Sequence, residues 1–345
     1  MNHFDDLSGF GALNPGNGHN PHNGLGQELT LSDSGDLSPM SAASGHGGSG
    51  GGGSTSGHTT APTPYLVKVA GSNLEIDLIW DSSVASAPTG FMTAVEAAAA
   101  ALVADFSTAK PLELYIDVGW GEIAGQAMAA NALGESQSNG YLVSDSTLSG
   151  LLKAHGDTFS ATNEPSATTQ FFVAVAEARA LGLAGATSSA SSPDGYVGFS
   201  SLTGTGYSWQ YNAAGTTATQ FNLQAVVQHE LTEVMGRVSM EGTATYSGHK
   251  TYTPLDLFDF TAQGTLALSN AGGYFSNNNG ATQQGVFNNA KQYGGDIADW
   301  ASYNSPYDAH TLPTGQEDPF NAFSWPGYND TLSPDDILVM DALGY

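Results

Sequence analysis

The residues with the clearest chemical potential lie between Gln228 and Arg237, in the sequence Gln-His-Glu-Leu-Thr-Glu-Val-Met-Gly-Arg. A four-residue step turns a helix by about 400°, so His229 and Glu233 project from the same edge. An imidazole nitrogen and a carboxylate oxygen at this spacing can bind one divalent cation. Glu230 follows His229 directly and is then placed to take a proton from a neighbouring water. The spacing predicts a zinc site with His229 and Glu233 as ligands and Glu230 as the base.

Glu233 also has a competing interpretation, because Arg237 lies four residues further along the same helix. An ion pair between these two side chains would hold the carboxylate away from a metal. Alternatively, Arg237 could orient a carboxylate that does bind the metal. The pattern fixes only three positions, so a solvated polar helix face is a third explanation. The residues alone leave these interpretations open.

The helix that carries this motif is predicted over Phe221–Arg237, because apolar residues recur around the rest of its circumference. Alternating apolar and polar residues, or short apolar runs next to turns, predict strands at Leu74–Trp80, Leu112–Val118, Tyr196–Phe199 and Tyr207–Tyr211. Helical spacing and capping residues predict further helices at Thr89–Phe106, Asp145–Ala154, Ser166–Leu181 and Ile337–Leu343. Strands and helices are therefore mixed ahead of the motif, while residues 240–330 are rich in Gly, Asn and aromatic residues.

Composition divides the chain of 345 residues into two unequal parts. Residues 1–62 are rich in Gly, Ser and Asn and poor in apolar side chains, which is typical of a disordered leader. Residues 63–345 form the predicted catalytic domain, with an N-terminal lobe over about 63–238 and a C-terminal lobe over about 239–345.

The charge of the chain excludes several classes of partner. Seven basic and 33 acidic residues give a formal net charge of −26, which disfavours nucleic acid and anionic membranes. No apolar run is long enough for a transmembrane helix, and the first residues lack the pattern of a Sec signal peptide. The absence of Cys excludes disulfides and thiolate metal ligands. We expect an extracellular protein whose export route and oligomeric state the sequence leaves open.

The motif resembles that of the metzincin clan of zinc endopeptidases, His-Glu-x-x-His-x-x-Gly-x-x-His/Asp. His229, Glu230 and Gly236 match the first, second and eighth positions. Glu233 stands where the clan has its second His, and Ser239 stands where the clan has its third ligand.

A closer resemblance is to a branch of bacterial metalloproteases with the motif His-Glu-[Ile/Leu]-Thr-Glu-Val-Met-Gly-Arg. Four further segments are similar to that branch and extend the resemblance over about 70–345, namely Asp194–Phe199, Pro254–Phe258, Gly295–Ala301 and Met340–Tyr345. The resemblance implies an α+β, metzincin-like zincin with a twisted N-terminal sheet, an active-site helix and a loop-rich C-terminal lobe. The N-terminal sheet is expected to be mostly parallel.

The third zinc ligand must come from outside the helix. Asp256 is the first choice, because it falls in the shared Pro254–Phe258 segment downstream of the motif. Asp259, His249 and Glu241 are the next candidates. Each of the two aspartates could instead cap a turn.

The leading hypothesis is a secreted zinc-dependent endopeptidase that acts on protein or peptide substrates. Zn²⁺ held by His229, Glu233 and Asp256 would polarise the scissile carbonyl, while Glu230 would deprotonate water. The alternative is a metzincin-shaped extracellular binding or adhesion module without catalytic activity. Ca²⁺ is a second expected cation, with Asp296 and Asp299 as candidate ligands and a solvated loop as their simpler explanation.

Overall fold

The computed structural model describes residues 61–345 apart from eight short gaps, together with the backbone of residues 28–32 and 37–39. The gaps are 130–131, 157–160, 166–168, 213–214, 242–244, 247–248, 269–271 and 302–315. Most of the predicted disordered leader therefore lies outside the described residues, and so does the side chain of His249.

Helices are interspersed among runs of strands along the chain. The α-helices are α1 (Phe91–Asp105), α2 (Asp145–His155), α3 (Val175–Ala180), α4 (Leu223–Val234), α5 (Ala290–Tyr293) and α6 (Pro334–Ala342). The strands are β1 (Glu28–Ser32), β2 (Leu37–Pro39), β3 (Tyr65–Lys68), β4 (Leu74–Trp80), β5 (Leu112–Trp120), β6 (Glu122–Ile123), β7 (Gln126–Ala127), β8 (Gly134–Ser144), β9 (Gln170–Ala174), β10 (Gly195–Phe199), β11 (Ser208–Gln210), β12 (Gln220–Asn222), β13 (Thr245–Tyr246), β14 (His249–Tyr252), β15 (Asp259–Ala262), β16 (Thr265–Leu266), β17 (Tyr274–Phe275), β18 (Gln316–Glu317) and β19 (Asn329–Asp330). Single 3₁₀ turns cover Ser82–Ser86 and Pro254–Leu257.

One large mixed sheet organises the molecule, and the fold is α+β as the sequence predicts. Its strands pair in the order β13-β14-β9-β8-β10-β5-β4-β3, and β1 and β2 join it at β8. The expectation of a mostly parallel sheet is wrong. Among the described strands, β4–β5, β5–β10 and β9–β14 are parallel neighbours, and the other described pairs in this sheet are antiparallel.

The elements with a strong local pattern are confirmed almost residue for residue. The strand predicted at Leu74–Trp80 is β4, whose side chains alternate between buried and half-buried. The Ala-rich helix predicted at Thr89–Phe106 is α1. Buried residues on α1 recur with a spacing of three and four, as expected for a helix that packs on a sheet.

The helix predicted over Ser166–Leu181 is wrong at Gln170–Ala174, and its first three residues lie outside the described residues. Gln170–Ala174 is the strand β9, and only Val175–Ala180 is helical. β9 lies between β8 and β14 and its side chains after Gln170 are buried. A strand that is buried on both faces lacks the alternation of apolar and polar residues. A short apolar run of this kind is therefore equally compatible with a helix and a strand.

The sheet and α1 together hold α4, the helix with the candidate site. α4 contacts α1 and the strands β8 and β10. β14, in the predicted C-terminal lobe, pairs with β9 and so extends the sheet across the predicted lobe boundary. No helix in the described part of the chain has the length and apolar character needed to span a bilayer.

Asp117 on β5 makes the stability of this sheet depend on pH. Burial, together with the charges of Asp81 and Glu122, raises the pKa of Asp117 to about 7. The unfolded chain loses this proton near pH 4, so the folded state binds more protons between pH 4 and 7 and stability falls as pH rises through that window. Asp117→Asn should therefore raise the unfolding free energy at pH 8 by about 2 kcal/mol and leave it unchanged at pH 4, measured by urea denaturation. Asp105→Asn, at an exposed position, is the control that should show no such difference.

Candidate metal centre

The helix α4 presents the motif on one edge and the core on the other. Its N-cap is Asn222, whose side chain accepts a hydrogen bond from the Gln224 backbone N–H at 3.1 Å. The helix ends just before Gly236, which has a φ of +110°. A Cβ at Gly236 would lie 2.7 Å from an oxygen of Glu177, so only glycine fits this turn.

Three side chains bring possible metal ligands to one point, and they are His229, Glu233 and Asp299. The His229 Nε2 atom lies 3.5 Å from Glu233 Oε1 and 3.4 Å from Asp299 Oδ1. One ligand atom from each residue falls within 4.8 Å of the others. Ligands bound at about 2.1 Å to a tetrahedral zinc ion are separated by about 3.4 Å. The two distances from the imidazole therefore fit a shared ion.

The orientation of the His229 ring leaves Nε2 available to bind a metal. Nδ1 lies 2.9 Å from the Pro319 carbonyl oxygen. Because a carbonyl can only accept a hydrogen bond, Nδ1 must carry the proton. In the neutral ring, Nε2 then has a free lone pair that points toward the two carboxylates. The Phe320 ring stacks against the imidazole with centroids 5.5 Å apart.

Glu233 is anchored through its second oxygen and its backbone. Ser136 Oγ on β8 donates to Glu233 Oε2 at 2.7 Å, and Ser138 Oγ donates to the Glu233 carbonyl at 3.0 Å. Oε1 therefore faces His229 while Oε2 is held by the sheet. A carboxylate fixed in this way has little conformational freedom to lose when it binds an ion.

Charge at the site favours a cation. Burial lowers the pKa of His229, but the negative charges of Asp299, Glu233 and Glu230 outweigh burial and raise it well above its usual value. Burial raises the pKa of Glu233, but the contact with His229 prevails and the pKa falls below its usual value. Burial raises the pKa of Asp299 to about 7. Buried carboxylates around one imidazole are the setting in which a bound cation is most stabilising.

Glu230, the predicted base, lies beside this group. Its side chain is buried, and its carboxyl is within hydrogen-bonding reach of Glu233. It also packs against Gly134 on β8, where a Cβ would lie 2.3 Å from Glu230 Oε1. Gly134 thus leaves room for the carboxyl next to the three candidate ligands.

Asp256, the predicted third ligand, is placed elsewhere, and Asp299 takes its position in the group. Asp256 caps the 3₁₀ turn at Pro254–Leu257, where its carboxylate accepts from the backbone N–H groups of Thr253 at 2.8 Å and Glu241 at 3.0 Å. Ser239 Oγ also donates to it. With these bonds made, its oxygens stabilise the local backbone instead of facing His229.

Asp259 and Glu241, two of the remaining ligand candidates, are not members of the group. Asp259 and Glu241 are both buried and lie within hydrogen-bonding reach of each other. Met240 packs in a small buried cluster with Leu142 and Phe172.

Arg237 does not form the predicted alternative pair with Glu233. Its Nη1 atom lies 2.9 Å from Asp336 Oδ1 on α6. The guanidinium also lies 3.7 Å from the Phe320 ring centroid and 4.8 Å from that of Trp300. The carboxylate of Glu233 therefore contacts His229, Ser136 and Glu230 instead of Arg237.

Asp299 completes the group, although the sequence indicated it only as a candidate Ca²⁺ ligand with a solvated loop as the simpler explanation. Its side chain is only 6% exposed, and the neighbouring Ala298 and Trp300 are buried too. Two signals pointed to it: apolar residues flank it on both sides, and it lies in the Gly295–Ala301 segment of the resemblance. Pro319 and Phe320, which orient His229, carried no comparable signal.

Fold and site together define an α+β protein with a largely buried His-Glu-Asp group that could hold a metal ion. None of the protein-family models, curated proteins or solved structures compared with the chain matches it.

Proposed function

We propose that this chain is a zinc-dependent endopeptidase of metzincin-like type that acts outside the cell. The observation that carries the proposal is the convergence of His229 Nε2, Glu233 and Asp299, with Glu230 directly beside them. The −26 charge and the absence of Cys are compatible with an exported protein.

The donor set fits zinc better than calcium. Zinc binds one imidazole and two carboxylates readily, whereas calcium takes six to eight oxygens and rarely a nitrogen. Three protein ligands leave a fourth position open, which distinguishes a catalytic site from a structural one. A zinc ion held there would lower the pKa of a water to about 7 and polarise a carbonyl.

The protein residues have separate tasks in this proposal. Glu230 takes a proton from the attacking water and then gives it to the leaving amine. Pro319 holds the tautomer of His229, and Ser136 holds Glu233. Phe320 and the buried surroundings keep bulk water away from the imidazole, which strengthens electrostatic interactions at the site.

A catalytically inactive adhesion module is less well supported by these contacts. That alternative relied on an ion pair between Glu233 and Arg237, and Arg237 pairs with Asp336 instead.

Zinc content and the Glu230→Gln variant test the proposal. Protein purified without chelators should contain about one zinc per chain, measured by mass spectrometry of the metal. Glu230→Gln should keep that zinc and reduce casein hydrolysis by about 10²–10⁴-fold, the usual contribution of a general base. Glu164→Gln, at an exposed position, should keep both properties. Absence of zinc after reconstitution, or unchanged hydrolysis by Glu230→Gln, would refute the proposal.

A further inference from the structure

We propose that Asp259 and Glu241 bind a calcium ion at a second metal site, separate from the group around His229. This site goes beyond the proposed peptidase function and does not depend on it. Glu241 belongs to the segment that follows α4, and Asp259 begins β15 in the three-stranded sheet of β15, β16 and β17. An ion bound by both side chains would join that segment to that sheet.

The carboxyl group of Asp259 is buried without a hydrogen-bond donor. Asp259 is only 1% exposed, and neither Oδ1 nor Oδ2 accepts a hydrogen bond of normal geometry from a described residue. The neighbouring Phe260 N–H lies close enough to lower the pKa of Asp259, but burial outweighs this effect. Burying a carboxylate without donors is costly unless the group takes up a proton or contacts a cation.

Glu241 brings a second buried carboxyl group to the same point. Its carboxyl lies within hydrogen-bonding reach of that of Asp259, and its backbone N–H is held by Asp256 Oδ2 at 3.0 Å. Two carboxyl groups this close repel each other unless one is protonated or a cation lies between them. Calcium binds oxygens at about 2.3–2.6 Å, so two of its ligand oxygens are about 3–3.5 Å apart. The contact between the two carboxyl groups therefore suits a shared ion.

The charges around Asp259 also favour a divalent cation. Burial contributes most to the pKa of Asp259, which lies well above its usual value, and the contact with Glu241 and the charges of Glu241 and Asp256 raise it further. Asp256 contributes charge and not a ligand, because its oxygens accept from Ser239 Oγ and from nearby backbone N–H groups. A cation bound beside three acidic groups would stabilise the ionised form of Asp259.

Gly273 leaves space next to Asp259. A Cβ at Gly273 would lie 2.1 Å from Asp259 Oδ1, 2.8 Å from the Phe260 carbonyl oxygen and 2.9 Å from the Ala267 Cβ. No other residue type fits there without a shift of its surroundings, and the two oxygens border the same small space. Backbone carbonyl oxygens are common calcium ligands. Gly273 is partly exposed, so water can reach this side and complete the coordination.

These donors suit calcium better than zinc or magnesium. Two carboxylates and a backbone carbonyl are all oxygen donors, whereas zinc sites usually include nitrogen or sulfur. Magnesium requires near-ideal octahedral geometry, while calcium accepts six to eight oxygens in flexible arrangements. An irregular set of protein oxygens completed by water therefore favours calcium. Because the two carboxyl groups come together only in the folded chain, calcium should stabilise the folded state by mass action.

A shared proton is the other explanation for the contact between Asp259 and Glu241, and in that case calcium would not bind. The variant Asp259→Asn separates the two explanations. Asparagine keeps the shape of the side chain, removes one buried charge and supplies an NH₂ group that can donate to Glu241. The variant is therefore expected to fold and, without calcium, to unfold at a higher temperature than the calcium-free parent at pH 8.

The test uses the full-length protein, purified without chelators and dialysed against calcium-free buffer. Ca²⁺ alone is the probe, and its binding is measured by isothermal titration calorimetry at pH 8 in about 0.15 M salt, which screens the acidic surface. Calcium that survives dialysis is counted by mass spectrometry, and zinc is counted in the same samples. Glu241→Gln is the second variant, and Asp341→Asn, at an exposed position, is the matched control. Circular dichroism follows thermal unfolding.

We expect the parent and Asp341→Asn to bind one Ca²⁺ per chain and to unfold about 5 °C higher when free Ca²⁺ is about 100 times its Kd. Asp259→Asn and Glu241→Gln should each weaken calcium binding at least about 100-fold, and their unfolding temperatures should not respond to Ca²⁺. A parent without one bound calcium per chain, or unchanged calcium binding by either variant, would overturn the inference. The zinc count should be the same in all four proteins, and a lack of zinc would count against the peptidase proposal alone.

Discussion

A protein carrying Asp299→Asn is expected to bind zinc at least about 100-fold more weakly than the parent and to lose casein hydrolysis. Asp299 Oδ1 lies 3.4 Å from His229 Nε2 and belongs to the three-residue group. Loss of a residue that merely orients a ligand typically costs 10–100-fold in metal affinity, and loss of a ligand should cost more. Asparagine preserves the size of the side chain but removes its charge. Competition with a zinc-binding dye measures the affinity.

The Asp256→Asn variant tests whether Asp299, as in the structure, or Asp256, as predicted from the sequence, is the third ligand. The Oδ2 atom of Asp256 accepts from the backbone N–H groups of Thr253 and Glu241, while its Oδ1 accepts from Ser239 Oγ and the Met240 N–H. The NH₂ group of an asparagine cannot accept at either position, so one pair of these bonds is lost. We expect unfolding at lower temperature, from a loss of about 1–3 kcal/mol, with one zinc per chain retained. If Asp256→Asn lost zinc and Asp299→Asn kept it, the ligand set His229, Glu233 and Asp299 would be rejected.

The parts of the fold that could be predicted from sequence are those whose pattern is local. β4 shows strict alternation, and α1 shows helical spacing in an Ala-rich segment, so each was found with nearly correct bounds. β9 was missed because its strand conformation depends on β8 and β14, which are distant in sequence. Burial on both faces removes the polar alternation that identifies a strand. The antiparallel pairing of β8 has the same long-range origin.

In the candidate site too, only the residues that are close in sequence could be predicted to lie together. His229, Glu230 and Glu233 lie within one and a half turns of a helix, so their spacing alone predicts a shared location. Asp299 lies 66 residues after Glu233, in an irregular segment without a periodic pattern that would predict its position. Asp256 was preferred because an aspartate that caps a turn and an aspartate that binds a metal look alike in sequence. Only the packing around each carboxylate distinguishes them.

A buried network connects the metal centre to the C-terminal helix. Asp336, at the start of α6, accepts from Arg237 Nη1 at 2.9 Å and from Trp300 Nε1 at 2.8 Å. Arg237 stacks on Phe320, which stacks on His229. Trp300 follows Asp299 directly, and its backbone N–H donates to the Phe320 carbonyl at 2.7 Å. The segments that carry Asp299 and Phe320 are thereby held to each other and to α4.

Arg237→Met is expected to weaken zinc binding about 10–100-fold, although Arg237 is not a ligand. Loss of the guanidinium leaves Asp336 without its cationic partner and removes the surface on which Phe320 is stacked. Breaking a buried ion pair from one side typically costs about 3–5 kcal/mol of stability, so zinc affinity must be measured where circular dichroism shows the protein folded. The absorption spectrum of the Co²⁺-substituted protein should also change, because His229 and Asp299 lose their fixed orientation.

The second arginine of the chain supplies the matched control for Arg237→Met. Arg179 pairs with the buried Asp194 at 3.0 Å, and neither residue belongs to the network around His229. Arg179→Met should also lower stability, because it too leaves a buried carboxylate unpaired. Its zinc affinity and Co²⁺ spectrum should nevertheless equal those of the parent. Asp336→Asn, which retains the shape of the acceptor, should give a smaller loss of zinc affinity than Arg237→Met. If Arg179→Met and Arg237→Met weakened zinc binding equally, the effect would reflect general destabilisation and the positioning role of Arg237 would be excluded.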